Sequence, residues 1–151
     1  SDHHASLFPA LIGLLNENGE FAVQMPVQKE NVLNQLLTKL AQEEPYITQL
    51  DGFNRPSPVL SMDQYVTLMF ENGLQDIQVM QKVYPIIAND HQTFFAFISG
   101  AAVISYLESL PAELQADFLA EFKARITKQF PTLPAIYAFK RLLLYGRKPK
   151  P

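Results

Sequence analysis

The eight residues Gly19–Pro26, GEFAVQMP, decide how the rest of the chain is read. Phe21, Ala22 and Val23 are continuously apolar rather than alternating, which suits a short strand covered on both faces. Asn18-Gly19 in front of it is a helix stop, so the strand runs from Glu20 to Met25 and meets Pro26, which cannot donate to a ladder. Such a strand needs neighbours in a sheet and packing layers above and below.

Working outward, Leu7, Phe8, Leu11, Ile12, Leu14 and Leu15 recur at helical spacing, and Pro9 fits a first turn, so a helix is expected from about Phe8. On the other side, Val32, Leu33, Leu36, Leu37 and Leu40 form the apolar stripe of a second helix. Glu43 to Leu60 holds Pro45, Gly52, Pro56 and Pro58 and predicts a long loop. Ser61-Met62-Asp63-Gln64 is a capping box. It opens a helix with Tyr65, Leu68 and Met69 that closes at Gly73. Ile77, Val79, Gln81 and Val83 then share one side of a strand.

Asn89-Asp90 caps a helix carrying Phe94, Phe95, Phe97 and Ile98, whose phenylalanines are expected in the core. Ser99-Gly100-Ala101-Ala102 is a small-residue run that lets backbone come close to a neighbour. Pro111 begins a further helix with Leu114, Phe118, Leu119, Phe122 and Ile126 inward, stopped by Pro131 and Pro134. Ala138 to Tyr145 is a last strand. Three strands for five helices make a small sheet, and we expect the rest of the sheet around Glu20–Met25 to lie outside this chain.

The 151 residues, 48% hydrophobic, suffice for one domain with its own core. A net charge of −3 argues against nucleic-acid binding, and the only basic run is Arg147, Lys148 and Lys150. No apolar run approaches the ~18 residues of a membrane span. With no cysteine there is no disulfide, thiolate metal site or cysteine nucleophile, which fits a reducing, cytoplasmic setting. His3, His4 and His91 have no metal-ligand spacing, and the first pair reads as tag or linker. The start, SDHHAS, is polar and lacks Met, and the expectation is a chain cut from something longer.

GEFAVQMP, NRPSPVLSMDQY (54–65), FISGAAVISYLESLPAE (97–113) and YAFKRLLLYGRK (137–148), taken in order, resemble trans-aconitate methyltransferases. The family's counterparts read GGVLAVQMP, PVLSPAEYY, WVKGTGLRPYL and FPFRRLFIVARR. The opening SDHHASLFPALIGLL resembles the family segment where W-L-P-D-H leads into a helix. The resemblance implies an α/β fold: the C-terminal part of a Rossmann-like class I methyltransferase sheet, about three strands, mixed, with five or six helices. Residues 1–151 would then be a single domain holding strands five to seven plus a helical lid at about 89–130. In such folds the cofactor sits on a glycine-rich turn in the first half. Here Gly13, Gly19, Gly52, Gly73, Gly100 and Gly146 are all isolated. The cofactor-binding N-terminal half is therefore expected to be absent, and the chain alone neither to hold S-adenosylmethionine well nor to catalyse.

The family esterifies a carboxylate. That nucleophile is already ionised at neutral pH, since a carboxyl pKa lies near 4, so no catalytic base is implied. What is needed is an oriented acid and groups that neutralise it. The resemblance assigns Tyr84, Ser99, Gly100, Lys140 and Arg141 to substrate, and Gln24 and Met25 to cofactor or substrate. Each has a plainer role: Lys140 and Arg141 as solvated strand charges, Tyr84 as half-buried packing, Gly100 as tight helix packing. Alternation places Lys140 and Arg141 on opposite faces unless the strand bulges. Three family positions have lost polarity or charge: its arginine is Ile104, its histidine Ile86 and its lysine Ser99. Losing an arginine removes a charge-assisted pair of about 1.5–3 kcal/mol, which points to an acid with fewer charges than a tricarboxylate.

Two other functions fit the residues. One is a non-catalytic helical interaction module; the other is a methyltransferase of the same fold acting on a malonyl thioester. The expected partner is a small-molecule carboxylic acid, with no nucleic acid and no membrane. An uncovered strand edge predicts a homodimer.

Overall fold

The computed structural model describes residues 2–53 and 59–150, with side chains from residue 6 onward. Pro56, Pro58 and the side chains of His3 and His4 fall outside the described residues. In chain order the elements are α1 (Asp2–Gly13), β1 (Glu20–Pro26), α2 (Val32–Ala41), α3 (Tyr46–Leu50), α4 (Met62–Glu71), β2 (Gln75–Ala88), α5 (His91–Ile98), α6 (Ala101–Ser109), α7 (Ala112–Gln129) and β3 (Ala135–Arg147). The three strands form one sheet in the order β1-β3-β2. The α/β class is as expected. The sheet, however, is antiparallel rather than mixed, and the described residues hold seven α-helices rather than five or six.

Contacts divide the chain into two compact units. The first comprises 1–27, 57–84 and 140–151. Here β1 pairs antiparallel with β3, from Glu20 opposite Arg147 to Pro26 opposite Arg141. Phe8, Ile12, Phe21, Val27, Tyr65, Met69, Leu74, Leu142 and Leu144 form its core. Phe8 of α1 meets Phe21 edge-on at 5.1 Å and stacks on Tyr65 at 5.5 Å. The capping box is present: the Gln64 amide donates to Ser61 Oγ at 3.1 Å, and the Ser61 amide donates to Gln64 Oε1 at 2.8 Å. Gly73 takes φ +83°, the left-handed turn that closes α4. Gly146 is required for another reason: a Cβ there would sit 2.8 Å from Leu74 Cδ1.

The second unit comprises 28–56 and 85–139, so α5–α7, the expected lid segment, lie within it together with α2 and α3. Leu33, Leu37 and Leu40 of α2 are buried with Phe118, Phe122 and Ile126 of α7. Tyr46 meets Phe118 at 5.0 Å and Phe94 meets Phe130 at 4.5 Å. Tyr137 lies among Phe94, Phe97 and Phe139. Its hydroxyl accepts a backbone hydrogen bond from Leu33, in the first turn of α2, where the N-cap Asn31 makes no side-chain cap. Burial pushes the Tyr137 phenol up to about 12, and the Leu33 bond opposes that shift. Asp90 caps α5 by accepting from the Thr93 amide at 2.7 Å. Arg125 of α7 forms a forked ion pair with Glu43 (Nη2–Oε1 2.7 Å) and reaches Glu121 at 3.1 Å, which holds the Glu43 carboxyl below its usual range.

Several local expectations change. Pro9 lies inside α1, not in its first turn, on an exposed side where water can serve the carbonyl it leaves unbonded. The expected long loop contains α3, whose Tyr46 and Leu50 are buried. β1 is not covered on both faces: Phe21 is buried, but Ala22 and Gln24 are exposed. Val83 is 50% exposed, because the half-buried positions of β2 run Ile77, Val79 and then Tyr84, Ile86. β3 skips a step likewise, buried at Tyr137 and Phe139, then at Leu142 and Leu144, with Lys140 and Arg141 half-exposed at the skip.

Candidate functional site

The site residues are best followed from the end of β1. The register sets Gln24 opposite Leu143 and Pro26 opposite Arg141, so Gln24 and Arg141 are diagonal neighbours. Arg141 Nη1 donates to Gln24 Oε1 at 3.4 Å, a long contact. Arg141 is half-exposed and carries a planar fork of donors suited to a carboxylate. Lys140 lies next to it, and its backbone carbonyl accepts the Val27 amide at 3.0 Å.

Met25 points the other way. Its Sδ accepts a hydrogen bond from the Tyr65 hydroxyl at 3.2 Å, and the same hydroxyl accepts the Leu60 amide at 3.0 Å. Tyr65 is completely buried. Burial raises its pKa, opposed by the Leu60 bond, so the phenol stays protonated and able to donate. One hydroxyl thus ties the end of β1 to the segment that leads into α4. Sequence reasoning placed Tyr65 on its helix but gave it no role. Nothing local marks a buried tyrosine whose partners are five and forty residues away.

Tyr84, on β2 in the same unit, is half-buried, with the Lys82 ammonium 4.8 Å from its ring centroid. Lys82 is a cation the sequence reading passed over. The available signal was its i, i+2 spacing to Tyr84, which puts both on one side of a strand.

Ser99 and Gly100 belong to the second unit. Ser99 ends α5, its hydroxyl donating to the Ala96 carbonyl at 3.1 Å, and Gly100 leads into α6. A Cβ at Gly100 would meet nothing within 4 Å, so the close approach expected of this small-residue run is not made here. Ile104, which stands where the family pattern has arginine, is 48% exposed. Among the expected site residues, then, the structure joins Gln24 to Arg141, with Met25 and Lys140 beside them in the chain. Tyr84 lies elsewhere in the same unit.

Among the described residues no group of three or more histidine, aspartate or glutamate side chains could hold a metal, and no helix is long and apolar enough to cross a membrane.

No protein-family model matches the chain. Among curated proteins, a trans-aconitate 2-methyltransferase of Deinococcus radiodurans is 31% identical over 153 residues, covering 97% of this chain and 58% of the relative. One of Methylobacterium nodulans is 28% identical over 150 residues, covering 97% and 58%. One of Escherichia coli is 25% identical over 148 residues, covering 96% and 56%. The chain spans less than two thirds of the length of the relatives it matches. Among solved structures, the YcgJ protein of Bacillus subtilis overlaps 97% of this chain and 58% of its own, with 15% identity and a TM-score of 0.46.

Proposed function

We propose that this chain, a relative of trans-aconitate 2-methyltransferases, is the acid-binding part of an S-adenosylmethionine-dependent O-methyltransferase that esterifies a small carboxylic acid. The likeness over nearly the whole chain supports the family. The observation that carries the role is the pairing of Gln24 and Arg141 at the end of β1.

The cofactor would supply the methyl group. The residues present do not make a cradle for it: the six glycines are isolated, Met25 is engaged by Tyr65, and Gln24 by Arg141. We therefore assign this chain no step through the cofactor, and expect residues 1–151 alone to be inactive. The chain's part is to hold the acid. The Arg141 fork takes one carboxylate, and Gln24, at hydrogen-bonding distance from it, limits where the fork can swing. The acceptor stays an anion throughout, so no side chain has to move a proton.

The neighbouring cations Lys140 and Arg141, both half-exposed on β3, suit an acid of one or two carboxylates.

The test is an NMR titration of residues 1–151 with acetate, fumarate and citrate. Fumarate should bind in the millimolar range and shift the Gln24 and Arg141 signals. Arg141→Gln should weaken it about tenfold, the low end for a charge-assisted pair, because the arginine is half-exposed. An unchanged affinity in Arg141→Gln overturns the assignment. Absence of any carboxylate binding would favour an interaction module instead.

A further inference from the structure

The second unit contains a cavity that the acid-binding residues do not use. Thr38 of α2 and Gln42, the C-cap of that helix, stand four residues apart on one side of it. With Ile47 and Leu50 of α3, Phe53, and Tyr106 of α6, they line a cavity of about 190 Å³. Asp51 and Gly52 take φ +45° and +79°, and the Phe53 amide donates to the Leu50 carbonyl at 2.8 Å. That left-handed turn after α3 brings the Phe53 ring edge-on to Tyr106 at 5.6 Å. Phe118 meets the Tyr106 ring at 6.0 Å. Leu50 and Tyr106 are 6% and 2% exposed, while Ile47 and Phe53 are 44% and 37% exposed, so the cavity has a closed floor and a mouth. It is defined by walls that all belong to one unit, not by a surface left uncovered.

The floor holds an unsatisfied group. Among the described residues the Tyr106 hydroxyl has no hydrogen-bond partner, although the residue is buried. The hydroxyls of Tyr65 and Tyr137, by contrast, each have a backbone partner. A buried hydroxyl without a partner is costly, and in a cavity wall it is available to whatever enters. The lining carries no charge: Ile47, Leu50 and Phe53 are apolar, and Thr38 and Gln42 are neutral. An apolar cavity of about 150 Å³ is already large enough to take up benzene.

We propose that this cavity is a binding site for a small neutral molecule of phenol size. Its apolar ring lies between Ile47, Leu50 and Phe53, and its hydroxyl meets that of Tyr106. Thr38 and Gln42 at the mouth offer partners for a second polar group. An acid is disfavoured, because a carboxylate would lose water there without gaining a cation. The proposal does not depend on the methyltransferase assignment.

The test is an NMR titration of residues 1–151, and of the complete gene product, with phenol, benzene and benzoate. At pH 7 phenol is neutral and benzoate is charged. Phenol should bind saturably to both proteins with a Kd of about 1 mM, in keeping with its size. Benzene should bind about tenfold more weakly, the worth of one hydrogen bond, and benzoate more weakly still. Tyr106→Phe keeps the ring and removes only the hydroxyl. It should bring phenol down to the benzene level without loss of stability, since no bond within the described residues is broken. Ile47→Trp, at an exposed position of the mouth, should abolish binding with an unchanged circular dichroism spectrum. It decides the matter if Tyr106→Phe does not fold. No saturable phenol binding in either protein, benzene or benzoate bound as tightly as phenol, or phenol binding indifferent to either variant overturns the proposal.

Discussion

Tyr65→Ala should destabilise the first unit by about 3–5 kcal/mol, the range for truncating a buried aromatic ring. Tyr65 is fully buried, stacks on Phe8 and reaches both Leu60 and Met25 with its hydroxyl. Truncation opens a cavity beneath α1 and leaves the Leu60 amide without this acceptor. Tyr65→Phe separates the two effects. It keeps the ring and removes only the hydroxyl, and should cost about 1–3 kcal/mol for the stranded amide. Denaturant melts of the two variants give both numbers. A Tyr65→Phe protein as stable as the parent would show that the link between β1 and the α4 entry contributes nothing. The same variant should broaden the Met25 and Gln24 NMR signals, since that hydroxyl holds the strand end.

Tyr137→Ala should have a comparable effect in the second unit, again about 3–5 kcal/mol. Its ring is buried against Phe94, Phe97 and Phe139, and its hydroxyl caps the Leu33 amide. The pH dependence is more specific. The folded phenol is raised to about 12 from an ordinary value of 10.0, so the neutral form is the one the fold favours. Above pH 10 the unfolded chain releases this proton while the folded chain retains it, so stability falls as pH rises towards 12. Below pH 10 the contribution is complete. Tyr137→Phe should lose the Leu33 cap at every pH but show a smaller decline between pH 10 and 12. An equal alkaline decline in Tyr137→Phe would assign the loss to other groups.

What could be read from the sequence was what is local. Ser61 and Gln64 are three residues apart, Asp90 and Thr93 likewise, and such caps need no tertiary knowledge. β1 was placed within a residue because a helix stop and a proline bracket it. Its burial was misjudged, because an apolar run reports what a strand tolerates, not which layers this chain supplies. α3 was hidden by the prolines around it; only packing of Tyr46 against Phe118 shows why one short turn is fixed there. The half-step skips in β2 and β3 upset strict alternation, and with it the simple sorting of Lys140 and Arg141 to opposite faces. Gln24 and Arg141 were singled out separately. Their contact depends on register, which 117 residues of intervening chain conceal.

The central claim is that these residues serve a carboxyl methyltransferase. Its most direct test supplies the complete gene product with methyl-labelled S-adenosylmethionine and a panel of mono-, di- and tricarboxylic acids. The expected result is label recovered as a base-labile methyl ester, with acids of one or two carboxylates preferred, and a raised KM in Arg141→Gln. Label on no acid in the panel, or label in a base-stable product, would contradict it.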